Sequence, residues 1–401
     1  MKVSESYRYL GTMKVSNDTR ATALNNNDLV LGSSGSGKTG GYVIPLLQNA
    51  AESLVISDTK GLLYRHYAKS LRERGYKVEV IDFVNPHQSV GYNPLDGIRR
   101  YADGTPREQD ILSLAGLLVP DLDTREPFWQ EAARGYLAML ISYAIDTFSP
   151  EELTLSSLYD LHALFRSPQS RLVFDEYAKD HANSFAARKY NALCATLSAD
   201  KMWSSINEFV NRGLEPYIFR ESDYIFSRNP SENVDLKSLG RSKTVLFLNV
   251  SDTDRTYDNA INILYAQLLH LLCEEADAQS DGRLQVPVRI VMDDFATNAV
   301  IPHFDSIISV IRSREISVSL ILQSLTQLES MYGRSRAVTI INNCDHILFL
   351  GTQDEETARF IGLKAGRVPE SILTMPRDKA YIITSYESTQ LVDKIAPYST
   401  V

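Results

Sequence analysis

The stretch Gly32 to Thr39, GSSGSGKT, constrains this chain more than any other. Gly32, Gly37, Lys38 and Thr39 stand at the spacing of a P-loop, after the apolar run Leu29 to Leu31 and before a segment, Gly41 to Ala51, that reads as a helix. Glycines at those positions let the backbone curl until successive N–H groups point inward at a polyphosphate, above the partial positive charge of a helix start. The spacing predicts that Gly32, Ser33, Ser34, Gly35, Ser36, Gly37, Lys38 and Thr39 cradle ATP. Lys38 then reaches the β and γ phosphates, and the Thr39 hydroxyl ligates Mg2+. The order strand, loop, helix separates this reading from a flexible Gly/Ser linker that ends in Lys-Thr.

The rest of the chain supplies the sheet such a loop needs. Short β-branched runs at Ser53 to Ser57, Lys77 to Phe83, Thr244 to Val250, Val288 to Met292, Ile316 to Leu322, His346 to Leu350 and Ala380 to Thr384 read as strands. Helical patterns at Leu62 to Gly75, Tyr257 to Asp277 and Ile301 to Ser313 fall between them, and that alternation indicates a mostly parallel sheet. From about Thr105 to Asp235 nearly every periodic stretch is helical, with Phe128, Ala132, Tyr136, Met139, Leu140 and Tyr143 on one core-facing stripe. The expected organisation is α/β over residues 1–104 and 236–401, with an all-α domain inserted at 105–235. Residues Met1 to Asn27 read as a polar lead-in arm.

Net charge is −9, which argues against a protein coated for duplex DNA. The acidity is concentrated: Thr105 to Asp235 holds 12 Lys/Arg against 20 Asp/Glu. Cys194, Cys273 and Cys344 are too few and too scattered for a disulfide frame or zinc site, and read as buried small residues. Neither a signal peptide nor an apolar run long enough to span a bilayer is present, so the expectation is a cytoplasmic chain.

Hydrolysis needs an acidic site besides the P-loop. The strand Val288 to Met292 runs into Asp293-Asp294, where Asp293 suits the magnesium shell and Asp294 suits polarisation of the attacking water. The same pair also suits a helix cap. Arg312, in Arg312-Ser313-Arg314, suits either a finger to a γ phosphate or a solvated helix end. Gln323, closing the strand Ile316 to Leu322, suits a γ-phosphate sensor or an ordinary loop residue.

Taken together, the motifs resemble those of the type IV coupling proteins, the TraG/TraD group of conjugation ATPases within the hexameric RecA-like DNA pumps. The matching stretches are GSSGSGKTGGYVIP (32–45), SDTKG (57–61), YNPL (92–95), FW (128–129), MDDFATN (292–298), IRSREISVSLILQSLTQLESMYG (311–333), INNCD (341–345) and LGTQDEETARFI (350–361). They keep the family's order over most of the chain. The resemblance implies a RecA-like P-loop domain with an inserted all-α domain, a homo-hexameric ring, and ATP-driven export of single-stranded DNA with its relaxase to a type IV secretion channel. It also implies that Arg312 acts on the neighbouring subunit and that Gln323 is the third nucleotide motif. Partners are then relaxosome proteins and channel components, with membrane contact at the inner face of the cell membrane through partners only.

Three departures stand out. The family's membrane-spanning helices are missing, Leu62 stands where Glu is usual, and Asp294 stands where Glu is usual. Withdrawing the carboxylate by one methylene, about 1.5 Å, costs on the order of a hundredfold in rate if nothing else moves. The alternative those two residues favour is a recruitment adaptor for protein cargo that binds ATP and hardly hydrolyses it.

Overall fold

The computed structural model describes residues 6–120, 127–167, 171–197, 200–227, 230–293 and 300–396. The chain packs as two compact units, one of residues 1–80, 235–255 and 268–401, the other of 81–234 and 256–267. The helix Asp258–Asp277 begins in the second unit and ends in the first. Besides most of the stretch 105–235, the second unit takes in 81–104 and 256–267.

The first unit opens with a hairpin, β1 (Tyr7–Leu10) and β2 (Met13–Ser16), turned at Gly11 with φ +54°. The main sheet follows as β3 (Asp28–Leu31), β4 (Ser53–Asp58), β5 (Lys77–Asp82), β6 (Thr244–Asn249), β7 (Val288–Met292), β8 (Ile316–Leu322), β9 (His346–Phe349), β10 (Lys379–Thr384) and β11 (Gln390–Asp393). Among the described residues its order is β11-β10-β9-β3-β8-β7-β4-β6-β5. The pairs of β3 with β8 and β9, of β7 with β8 and β4, and of β4 with β6 are parallel; β10 runs antiparallel to β9 and β11.

The central strands are buried on both faces, as a parallel sheet requires, and the polar residues they carry, among them Asp28, Ser319 and Arg289, are buried with the apolar ones. Val30, Ile56, Phe247, Val291, Ile321 and Leu348 share one cluster with Tyr42, Val43 and Leu47 of the helical segment after the P-loop. The parallel register sets Leu31 opposite both Leu322 and Phe349, so the carboxyl ends of β3, β8 and β9 are level.

A charged cluster is sealed beneath the same strands. Asp28 at the start of β3 accepts from Arg8 Nε (2.8 Å) and Nη2 (2.9 Å), from Arg289 Nη1 (3.1 Å) and from Tyr42 Oη (2.6 Å). Arg289 Nε donates to Glu52 at 2.6 Å, and Arg8 Nη2 lies 3.1 Å from His346 Nδ1. Burial opposes the Asp28 charge most strongly, yet Arg8 and Arg289 hold its carboxyl below the usual carboxylate range. Burial, with Arg8 adding to it, pushes His346 down to about 4 and keeps it neutral.

In the second unit the helix Pro127–Thr147 is the centre. Its residues Tyr136 to Ile141 are all buried, against the helices Leu155–Phe165, Phe185–Leu197 and Asp200–Leu214 among others. Tyr136 Oη lies 2.8 Å from His162 Nδ1, whose Nε2 lies 3.1 Å from Asn211 Oδ1, and burial lowers His162 to about 4. Among the described residues no helix is long and apolar enough to cross a membrane.

Four expectations are corrected. Residues 7–16 form a hairpin and not an arm, because Arg8 occupies an inward position where an apolar residue would have betrayed the strand. The helix expected over Ile301 to Ser313 shrinks to Phe304–Ile307 and a tight turn at Arg312–Arg314. Phe128 is 62% exposed and outside the stripe assigned to it. Cys194 is exposed and Cys273 half-buried; Cys344 alone is buried.

Candidate functional site

The loop after β3 is held from three sides. Gly32 N–H donates to Leu322 O of β8 (3.0 Å), Ser33 N–H to Gly351 O (3.0 Å), and Ser36 N–H to Ser33 O (3.1 Å). A Cβ on Gly32 would stand 2.3 Å from the Ser36 hydroxyl and 3.1 Å from Leu350 Cβ, so any larger residue would force Ser36 to turn away. Gly35 and Gly37 adopt φ +74° and +95°, a region that costs L residues roughly 1–2 kcal/mol. Among the described residues, no atom beyond their chain neighbours lies within 4 Å of where their Cβ atoms would stand, so backbone conformation and not crowding favours glycine at both. Lys38 Nζ folds back to Gly32 O (2.7 Å) and Ser33 O (3.2 Å). Beyond it the chain runs through a wide helical turn, Thr39–Val43, into the α-helix Ile44–Asn49.

Thr39 Oγ1 donates to Asp293 Oδ2 at 2.9 Å across a sequence separation of 254 residues. Asp293 follows β7, two strands from β3, so parallel register and the β8 spacing bring the acid to the loop. Among the described residues no cluster of three or more His, Cys, Asp or Glu is placed to hold a metal. A hydroxyl and one carboxylate are instead the short oxygen set that magnesium takes when phosphates and water complete its octahedron.

Gln323 directly follows β8 beside Gly32, half-buried, its N–H donating to Gln327 Oε1 at 3.0 Å. Lys38, Thr39, Asp293 and Gln323 therefore gather at one end of the sheet, where ligands of open α/β folds sit. Arg312 does not. It precedes β8, seven residues or about 23 Å of strand away, exposed, with Nη2 donating to Ala23 O at 2.6 Å. Arg314 is tied to Asp277 at 2.8 and 3.0 Å. Asp294 lies outside the described residues.

Sequence reasoning left other parts of the site unassigned. Asp58, at the end of β4, accepts from Leu62 N–H (3.2 Å) and Tyr64 N–H (3.0 Å) and so caps the helix Leu62–Glu73; burial raises its carboxyl against those bonds. Leu62 is 42% exposed at that helix start. Tyr42 ties the P-loop helix to Asp28, and its place three residues after Thr39 was the available signal. From the far end of the chain, Lys394 Nζ reaches Leu350 O (2.7 Å) and Ser36 O (3.4 Å), a contact without any motif to announce it.

With this geometry in place, comparison gives a consistent result. The family model for "Type IV secretory system Conjugative DNA transfer" matches residues 9–395. A conjugal transfer protein TraG of Escherichia coli is 24% identical over 373 residues, 88% of this chain and 58% of that relative. The chain thus spans under two thirds of the length of the curated relatives it matches. Among solved structures, plasmid coupling protein TrwB in complex with the non-hydrolysable ATP analogue ADPNP superposes with TM-score 0.70 at 16% identity, covering 100% of this chain and 92% of that one. TrwB with ADP and Mg2+ gives 0.69 at 16%, with the same coverage. These likenesses show the fold, a RecA-like P-loop core with an all-α domain.

Proposed function

Because the chain belongs to the type IV secretory system conjugative DNA transfer family, we propose that it is an ATP-driven coupling protein. In this reading it recruits single-stranded DNA with its relaxase and pumps them to a type IV secretion channel. The observation that carries the proposal is the 2.9 Å bond from Thr39 to Asp293, which unites the loop and the acid that ATP hydrolysis needs.

ATP and Mg2+ fit the residues present. The Gly32, Ser33 and Ser36 N–H groups hold the loop in place through protein carbonyls, which leaves the rest of the turn from Gly35 to Thr39 to present backbone N–H groups to the phosphates. Lys38 leaves the two carbonyls it now holds and reaches the β and γ oxygens. Thr39 and Asp293 would hold magnesium, which when bound supplies charge neutralisation at the phosphates. Gln323 orients the attacking water at the γ end, and Asp294 polarises it. Arg312, remote from its own P-loop, stabilises the transferring phosphoryl on an adjoining copy. Activity then depends on assembly, and the homo-hexameric ring is the form that supplies each site with its neighbour's arginine.

The surplus of acidic residues between Thr105 and Asp235, 20 against 12 basic, supports recruitment of basic segments of a relaxase or other relaxosome protein. Membrane contact is through partners. The test is phosphate release and oligomeric state measured together across a titration of single-stranded DNA. Stimulation that vanishes in Lys38→Ala and Arg312→Ala is expected. A rate indifferent to DNA, with nucleotide still bound, would replace the pump by an ATP-binding recruitment adaptor for protein cargo.

A further inference from the structure

The last strand of the sheet delivers a lysine to the nucleotide loop. β11 is the edge strand, held antiparallel to β10 with Asp393 opposite Lys379 and with Asp393 O accepting from Thr12 N–H at 3.1 Å. Lys394 N–H donates to Asp378 O at 2.8 Å, which fixes the backbone where the chain leaves β11. Ile395 follows, and its carbonyl lies 3.2 Å from where a Cβ on Gly41 would be, so this segment passes directly over the P-loop helix. Lys394 is half-buried there, and its Nζ donates to Leu350 O at 2.7 Å and Ser36 O at 3.4 Å. Both acceptors are carbonyls, and burial lowers the ammonium from its ordinary value, with Asp378 opposing.

One of the two carbonyls the ammonium holds, Ser36 O, belongs to the peptide unit that also carries the Gly37 N–H. The Ser36 carbonyl and the Gly37 N–H belong to one planar trans peptide and point in opposite directions. With the carbonyl turned out to Lys394, the Gly37 N–H is turned the other way. A cation on the carbonyl also polarises the unit and makes that N–H a stronger donor. Gly37, at φ +95°, has no side chain to fix its orientation. The second carbonyl, Leu350, belongs to the residue whose N–H closes on Leu31 O at 2.7 Å, so the lysine bridges the loop to the framework that seats it.

We propose that Lys394 is a nucleotide-positioning residue: from the carboxyl-terminal edge strand it pins the Ser36–Gly37 peptide of the P-loop in the orientation that binds phosphate. It acts through the loop and contacts no reacting atom. The inference rests on the P-loop reading above and adds to it a residue outside the nucleotide motifs.

The experiment uses the full chain as wild type, Lys394→Met, Lys394→Arg and Lys38→Ala, with a fluorescent ATP analogue for affinity and phosphate release for rate. Lys394→Met is expected to weaken nucleotide binding and raise KM about three- to fivefold, the share of one ordinary hydrogen bond, while kcat stays within about twofold. The nucleotide-free melting temperature should be unchanged, and Lys394→Arg should restore most of the affinity. A Lys394→Met protein that melts like wild type and binds nucleotide equally well overturns the proposal. So does a KM defect that appears only with a lowered melting temperature and is not rescued by arginine. If wild type itself binds no nucleotide, the P-loop reading falls and this inference falls with it; if wild type binds, Lys38→Ala does not and Lys394→Met is normal, only the inference falls.

Discussion

Replacing Asp28 by Asn tests the buried charge cluster that braces the start of β3 and, through Tyr42, the helical segment after the P-loop. Asp28 is wholly buried and receives four donor groups: Arg8 Nε and Nη2, Arg289 Nη1 and Tyr42 Oη. With Glu52 on Arg289 and His346 neutral, two guanidiniums balance two carboxylates. Asn has nearly the same shape but leaves one positive charge uncompensated, and its amide must point N–H groups at donors. Removing one partner of a buried ion pair costs about 3–5 kcal/mol. At roughly 2–4 °C per kcal/mol for a unit of this size, Asp28→Asn should lower the melting temperature by roughly 6–20 °C. The assay is a thermal melt, with Arg8→Met and the double variant alongside. Because the double variant restores charge balance, it should be more stable than the sum of the two single losses allows. A melt within about 2 °C of wild type, or strictly additive losses, would refute the reasoning.

Further outcomes follow from other parts of the structure. His346 and His162 are held near 4, below their unfolded value of about 6.5, so the folded state binds fewer protons between those values. Stability should therefore be full above about pH 6.5 and fall as pH drops toward 4, by about 3 kcal/mol for each histidine, and denaturation at stepped pH should show His162→Gln flattening part of that slope. Gly37→Ala, at φ +95° in open space, should cost roughly 1–2 kcal/mol of loop strain; nucleotide affinity should drop while the second unit's helical signal is unchanged. Arg312→Ala should abolish most phosphate release but leave nucleotide affinity within about twofold, and mixing it with Lys38→Ala protein should restore some rate if the arginine acts on a neighbouring copy.

The residues that converge on the loop were legible in the sequence because each is announced by its own strand. The runs before Gly32, Asp293 and Gln323 alternate or persist in apolar character, and parallel register then decides that their carboxyl ends meet. What escaped was set by tertiary context. Arg8 sits in a strand at a fully buried position, so the hairpin's inward face carried a charge and the pattern read as polar. β11 is mostly exposed on both faces and gave no hydrophobic signal, and with it went Lys394. Of the apolar residues Phe304, Ile307, Ile308 and Ile311, whose spacing is that of one helix face, Phe304, Ile308 and Ile311 are buried and Ile307 only half-buried. The segment runs through successive tight turns, because Ser309 and Ser313 hydroxyls donate to the carbonyls three residues back, at 2.6 and 3.2 Å, and compete with a continuous helix.

The measurement that bears most directly on the account is titration of a non-hydrolysable ATP analogue with and without Mg2+ in wild type, Lys38→Ala, Thr39→Ala and Asp293→Asn. Wild type should bind, and magnesium should tighten that binding. Lys38→Ala should lose nucleotide altogether, while Thr39→Ala and Asp293→Asn should keep the magnesium-free affinity and lose the tightening. If Asp293→Asn retained the full effect of magnesium, the bond between Thr39 and Asp293 would not mark a nucleotide centre, and the motor reading would be contradicted.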